Sequence, residues 1–219
     1  MEKLMQDVWM KLMARHVPIN QLNLNKRTMN FKHFLNHLQQ RCEQVTEFES
    51  AINERAKEIE MNKGQVLLYP GEVCKYVYFV HSGFLRLYHE TPYQEATVDF
   101  AGEGQFTTCM ASFFTQQKSK EGIVCESSGI LFRISYHDWL SLEDLSPVFI
   151  LLSKAIFQEY LTLISEERNV FRTSNATQKY LYLKSRHPQI SNLVSQKHIA
   201  SYLGITEQSM SIIRKGLIR

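Results

Sequence analysis

Short apolar runs alternate with turn residues through the middle of the chain: QVLLY (65–69), YVYFVH (76–81), FLRLYH (84–89), ATVDF (96–100), GIVCE (122–126) and GILFRIS (129–135). Seven of the nine glycines fall between Gly64 and Gly129, so the turns are concentrated where the runs are. Short strands at this spacing predict an antiparallel sandwich or barrel. On either side the period changes from two to three or four. Before the strands, Phe31, Phe34, Leu35 and Leu38 mark a helical face that passes into acidic, polar turns by Arg55. After them, Pro147 opens a glycine-free run to about Phe171 in which Phe149, Leu152, Ile156, Tyr160, Leu163 and Val170 recur at helical steps. That predicts a long amphipathic helix. Lying between two predicted domains, its stripe Phe149, Leu152, Ile156, Tyr160 and Leu163 is expected to meet a second copy of the chain.

Residues 172–175 read as a polar hinge, with Asn175 capping a helix that ends before Pro188. Beyond it, QKHIASYLGITEQSMSIIRK (196–215) carries the packing pattern of a helix-turn-helix. Ile199, Leu203, Met210 and Ile213 are spaced to form the apolar seam of two short crossing helices, and Ala200 is small enough for the crossing point. Gly204 permits the left-handed turn, Ile205 fills the corner, and Ser195 and Thr206 cap the two helices.

Charge sharpens this reading. From residue 168 to the C-terminus there are nine Lys and Arg against the single acid Glu207, a net +8, whereas residues 1–167 carry a net −5. The modest overall +3 therefore conceals a polarised chain whose basic end suits a polyanion. The alternative is a small-molecule-binding or scaffold module whose terminal helices merely pack. Such a module has no reason to gather this charge on about fifty residues.

Other chemistries find little footing. The apolar stretches fall short of a membrane span, and Asp7 and Lys11 interrupt the N-terminal run, so a cytoplasmic protein with no membrane partner is expected. Cys42, Cys74, Cys109 and Cys125 show no CxxC spacing and read as isolated structural thiols. His33 and His37 stand at i, i+4 but lack the glutamate of HExxH, so they read as surface histidines and no metal is expected. His81 and His89 do not form the HxH of a cupin enzyme, and neither a P-loop nor a GxSxG elbow occurs. A catalytic role is not indicated.

The order of strands, long helix, hinge and basic helix-turn-helix, with KGQVLLYPGEVCKYVYFVHSGFLRLY (63–88) and KHIASYLGITEQSMSIIRK (197–215), resembles the Crp/Fnr family of bacterial transcription regulators. The second motif is similar to Bacteroidetes-type members. The resemblance implies an α+β chain: an N-terminal antiparallel, jelly-roll-like β-roll of the cyclic-nucleotide-binding type (31–145) flanked by helices, a dimerisation helix (146–171) and a helix-turn-helix domain (172–219). Residues 1–30 fall outside it as an extension, because residues 29–31 resemble the point where such proteins begin. It further implies a homodimer reading a palindromic site in double-stranded DNA, with RNA polymerase as a partner and no cofactor. The recognition helix would follow Thr206 and present Glu207, Gln208, Ser211 and Ile212 to base edges, while Ser195, Lys197, Ser209 and Lys215 lie near phosphates. Ile212 departs from the arginine usual there and offers a thymine-methyl contact instead of a bidentate guanine contact.

The effector side departs further. The family pattern pairs Gly-Glu with an arginine for the cyclic phosphate, yet no arginine occurs between Leu87 and Phe132. Gly102, Glu103, Lys118 and Lys120 remain as a weak candidate pocket, and lysines lack the bidentate fork. Cyclic AMP is therefore not expected as the effector, whose identity stays open.

Overall fold

The computed structural model describes residues 19–217 apart from Tyr93. Helix α1 (Ile19–Gln39) is followed by a 3₁₀ segment (Glu43–Phe48) and α2 (Glu49–Arg55). The boundary expected at residue 30 falls inside α1. Phe31 there is buried and the Asn30 amide donates to Glu58 at 2.9 Å, so the helix belongs to the β-domain. The part of the expected extension before residue 19 lies outside the described residues.

Strands β1 (Lys57–Met61), β2 (Val66–Leu68), β3 (Tyr76–Ser82), β4 (Leu85–Glu90), β5 (Glu95–Ala101), β6 (Phe106–Thr107), β7 (Glu121–Cys125) and β8 (Gly129–Ser135) form two antiparallel sheets. Their orders are β1-β8-β3-β6 and β2-β7-β4-β5. Apart from the β4–β5 hairpin, consecutive strands alternate between sheets, so neither sheet can form without the other, and the apolar faces meet in one core. Phe34 from α1 enters that core and stacks on Phe132 at 4.7 Å between ring centroids. Gly129 pairs with Met61, and a Cβ there would come within 2.1 Å of the Ser82 carbonyl, which explains a glycine at this strand start. Helix α3 (Met110–Thr115) bridges β6 and β7, and α4 (Tyr136–Leu145) follows β8, capped by Ser135, whose hydroxyl accepts from the Asp138 N–H.

Helix α5 (Pro147–Thr173) has Pro147 at its first position, where a missing N–H costs nothing, and Ser146 as N-cap. Here the expected dimer stripe needs correction. Phe149, Leu152 and Ile156 are buried in the core of their own β-roll, because α5 must cover the open side of the barrel before it can cover anything else. Tyr160 and Leu163 are half-buried and line a cavity beneath the helix. The apolar face left open is Ile150, Leu161 and Ile164, with Leu151 at its edge, 41–61% exposed and roughly a third of a turn round the helix. By length and composition α5 is also apolar enough to cross a bilayer, contrary to the sequence expectation; a core helix passes the same test.

Helices α6 (Ala176–Arg186), α7 (Ile190–Leu193), α8 (Gln196–Leu203) and α9 (Glu207–Leu217) complete the chain. Asn175 and Gln178 form a capping box on α6, which stops the long helix from continuing through the hinge. The terminal helices share a second core to which Phe84, just before β4, and Phe100 of β5 contribute. Thr97 N–H of β5 donates to Ser201 Oγ of α8 at 3.0 Å, so the C-terminal unit is docked on the β-roll.

Candidate nucleic-acid interface and junction cavity

The α8–α9 unit is built as its residue pattern predicts. Ile199, Ala200, Leu203 and Met210 are buried, and Ile213 packs against them. Gly204 takes φ +68 and receives the close of α8, with open space where a Cβ would stand. Its requirement is thus conformational rather than steric. Ser195 Oγ accepts from the His198 N–H, and Thr206 Oγ accepts from the Ser209 N–H at 3.1 Å. The Gln196 amide donates to the Glu207 carbonyl at 2.8 Å and fixes the angle between the helices.

On the outer side, Glu207, Gln208 and Ile212 are exposed and Ser211 is half-buried. Ile212 is 71% exposed, too open for a packing role. Ser195, Lys197, Ser209 and Lys215 are also exposed. Positions 208, 211, 212 and 215 fall on one face of α9.

The effector candidates do not converge. Gly102 lies under Phe84 and His187, where a Cβ would meet the Phe84 ring at 3.0 Å, and Glu103 is an exposed turn residue. Lys118 borders a separate opening beside β2 and β3, whereas the Lys120 carbonyl is engaged by His89 at 2.9 Å. A different cavity of about 50 Å³ lies where three units meet: β5 and β6, the underside of α5, and Arg186 at the end of α6. That volume accommodates a few water molecules.

Asp99 and Arg186 face this cavity, and neither was singled out in the sequence because their proximity exists only after the C-terminal unit docks. Burial, with the nearby Glu167 carboxylate adding to it, pushes the Asp99 carboxyl up to about 7. Arg186 Nη1 donates to Glu167 at 2.6 Å. Burial, then the Asp99 and Glu167 charges, push the Tyr202 hydroxyl up, and burial with Arg186 pulls His187 down to about 4. The cavity wall thus brings Asp99 of the β-roll together with Arg186 of the terminal unit.

The thiols also need correction. Cys74 and Cys109 are free and buried, the Cys74 thiol meets the Thr108 hydroxyl at 3.3 Å and the Tyr76 carbonyl at 3.6 Å, and the neighbouring Cys109 thiol followed by Thr108 pulls the Cys74 thiol down. The approach of two loop residues across 35 residues of chain left no local signal.

These features define a class: a β-roll domain joined by a long helix to a helix-turn-helix. Residues 58–144 match the cyclic nucleotide-binding domain family. No curated protein matches the chain in sequence. Among solved structures it is similar to FixK2 from Bradyrhizobium japonicum, at 15% identity over 74% of this chain and 84% of that one, with a TM-score of 0.63. It is likewise similar to the c-di-GMP responsive global regulator CLP of Xanthomonas campestris, at 16% identity, 77% and 89% coverage and a TM-score of 0.60. A Crp/Fnr-family transcriptional regulator from Eubacterium rectale aligns at 15% identity, 78% and 82% coverage and a TM-score of 0.60. The fold of the chain is that of the Crp/Fnr transcription regulators.

Proposed function

We propose that the chain is a cytoplasmic, homodimeric transcription regulator that binds double-stranded DNA and has no catalytic role. The observation that carries this reading is the exposed α9 face of Gln208, Ser211, Ile212 and Lys215 on a segment of net +8. A helix of this kind fits the major groove, with Gln208 able to bond adenine and Ile212 to meet a thymine methyl. The dimer would form through Ile150, Leu151, Leu161 and Ile164, the apolar α5 face that the β-roll leaves open. Two copies so joined can place their recognition helices about 34 Å apart on a palindromic site. RNA polymerase is the partner that regulation by such a dimer implies.

Cyclic AMP does not fit this reading. The junction cavity of about 50 Å³ is too small for a nucleotide without opening, and the larger opening of about 460 Å³ beside β2 and β3 is lined by Lys75 and Lys118 but by no arginine that could fork a cyclic phosphate. The test is a gel-shift titration of the full chain on duplex DNA at rising salt. Binding that falls steeply with salt, and is lost for all sequences alike in Lys197→Ala and Lys215→Ala, supports the regulator. Absence of duplex binding at low salt overturns it and favours a ligand-binding or scaffold module.

A further inference from the structure

His33 of α1 and His81 of β3, 48 residues apart in sequence, face each other with 3.1 Å between their Nδ1 atoms. His37, one helical turn after His33, extends the row: ring centroids are 4.7 Å apart for His33 and His37 and 4.8 Å for His33 and His81. All three are half-buried, whereas His33 and His37 were expected from the sequence to be surface histidines. Two nitrogens bound at about 2.0–2.1 Å to one tetrahedral ion stand roughly 3.3 Å apart, so the observed separation is already close to the bite of a metal ion.

The surroundings favour a cation. Glu58 Oε2 is buried with no hydrogen-bond partner among the described residues, and its charge acts on His81. A carboxylate oxygen so placed costs about 1–3 kcal/mol unless something positive approaches it. Glu103 acts on both His37 and His81, and the turn it occupies touches His37 through Gly104. The opposing cation, Arg41, is occupied elsewhere: it donates to the His37 and Gly104 carbonyls and pairs with Glu159 at 2.7 Å. Among the described residues no three donors are already gathered about one centre, so the pair His33 and His81 is the preformed part.

We propose that His33 and His81, joined by His37 through a small side-chain rotation and by Glu103 as oxygen donor, bind a divalent transition ion of the zinc class. Imidazole nitrogens with one carboxylate select zinc, cobalt, nickel or copper over magnesium or calcium. The ion would tie α1 to β3 and to the turn leading into Gln105, a wall residue of the junction cavity. The proposal stands independently of DNA binding.

The experiment is a titration of chelator-treated, full-length protein with zinc by calorimetry and with cobalt by visible absorption. One ion per chain at micromolar affinity is expected, with the d–d bands of low-symmetry nitrogen and oxygen ligation. His33→Ala and His81→Ala should each weaken binding tenfold or more, while His89→Ala and His137→Ala leave it unchanged. His33→Gln serves where the alanine variant does not fold, as judged by circular dichroism. No saturable binding to the wild type would show that the two imidazoles merely share a proton in an N–H···N bond. Undiminished binding in a folded His33→Ala/His81→Ala protein would place the ion elsewhere. Either result overturns the proposal.

Discussion

Replacing Asp99 by Asn should make the protein more stable, and increasingly so as pH rises. The substitution keeps the local bond, since an amide oxygen can accept from the Phe100 N–H as Asp99 Oδ1 does at 2.7 Å. It removes only the ability to ionise. In the folded chain the carboxyl is raised from 3.8 to about 7, chiefly by burial, so between those values the folded state holds a proton that the unfolded state has released. The folded state binds more protons there, and stability therefore falls as pH rises through the window, with the full loss reached above the folded value. For an unfolded value of 3.8 and a folded one of about 7, the loss between pH 5.5 and pH 8 is about 2 kcal/mol. Urea unfolding of wild type and Asp99→Asn at both pH values measures it directly. All other titrating groups are common to the two proteins and cancel in the difference to first order. His187 in particular, pulled down to about 4, acts with opposite sign below pH 6.5 in both. The stability difference should grow by about 2 kcal/mol in favour of Asn from the lower to the higher pH. A difference that stays constant within about 0.5 kcal/mol would show that Asp99 is ionised at both pH values, and that the junction is wetter than its geometry implies.

Five further outcomes follow from the same geometry. Leu161→Glu, on the open face of α5, should convert dimer to monomer in sedimentation and abolish specific DNA binding while leaving the fold intact. Ile156→Glu should instead unfold the β-roll, since an uncompensated buried charge costs about 3–5 kcal/mol; a folded Ile156→Glu monomer would return that residue to the interface. Gly204→Ala should cost about 1 kcal/mol in thermal unfolding through its positive φ alone, because the space around it is open. Calorimetry with cyclic AMP should show no saturable micromolar binding, and Gln208→Ala should relax preference at one or two base pairs in gel shifts with non-specific affinity nearly unchanged.

What the residues determined by themselves are the features held within one element or between neighbours. Strand spacing, the Pro147 start of α5, the Asn175 cap and the α8–α9 seam all rest on chain-local geometry: a turn conformation, a cap, a period of two or of 3.6. The α9 face was legible for the same reason, since Gln208 and Ile212 are exposed by their position relative to Met210. The apolar stripe of α5 was visible, but its destination was not. Phe149 and Ile156 are as suited to a partner helix as to a sheet, and only the open side of the β-roll decides which apolar face is consumed at home. Likewise Asp99 and Arg186, Cys74 and Cys109, and His33 and His81 become neighbours through the alternation of strands between sheets and the docking of α8 on β5. Proximity of that kind carries no periodic signature, because it depends on where separate elements come to rest rather than on the spacing within any one of them.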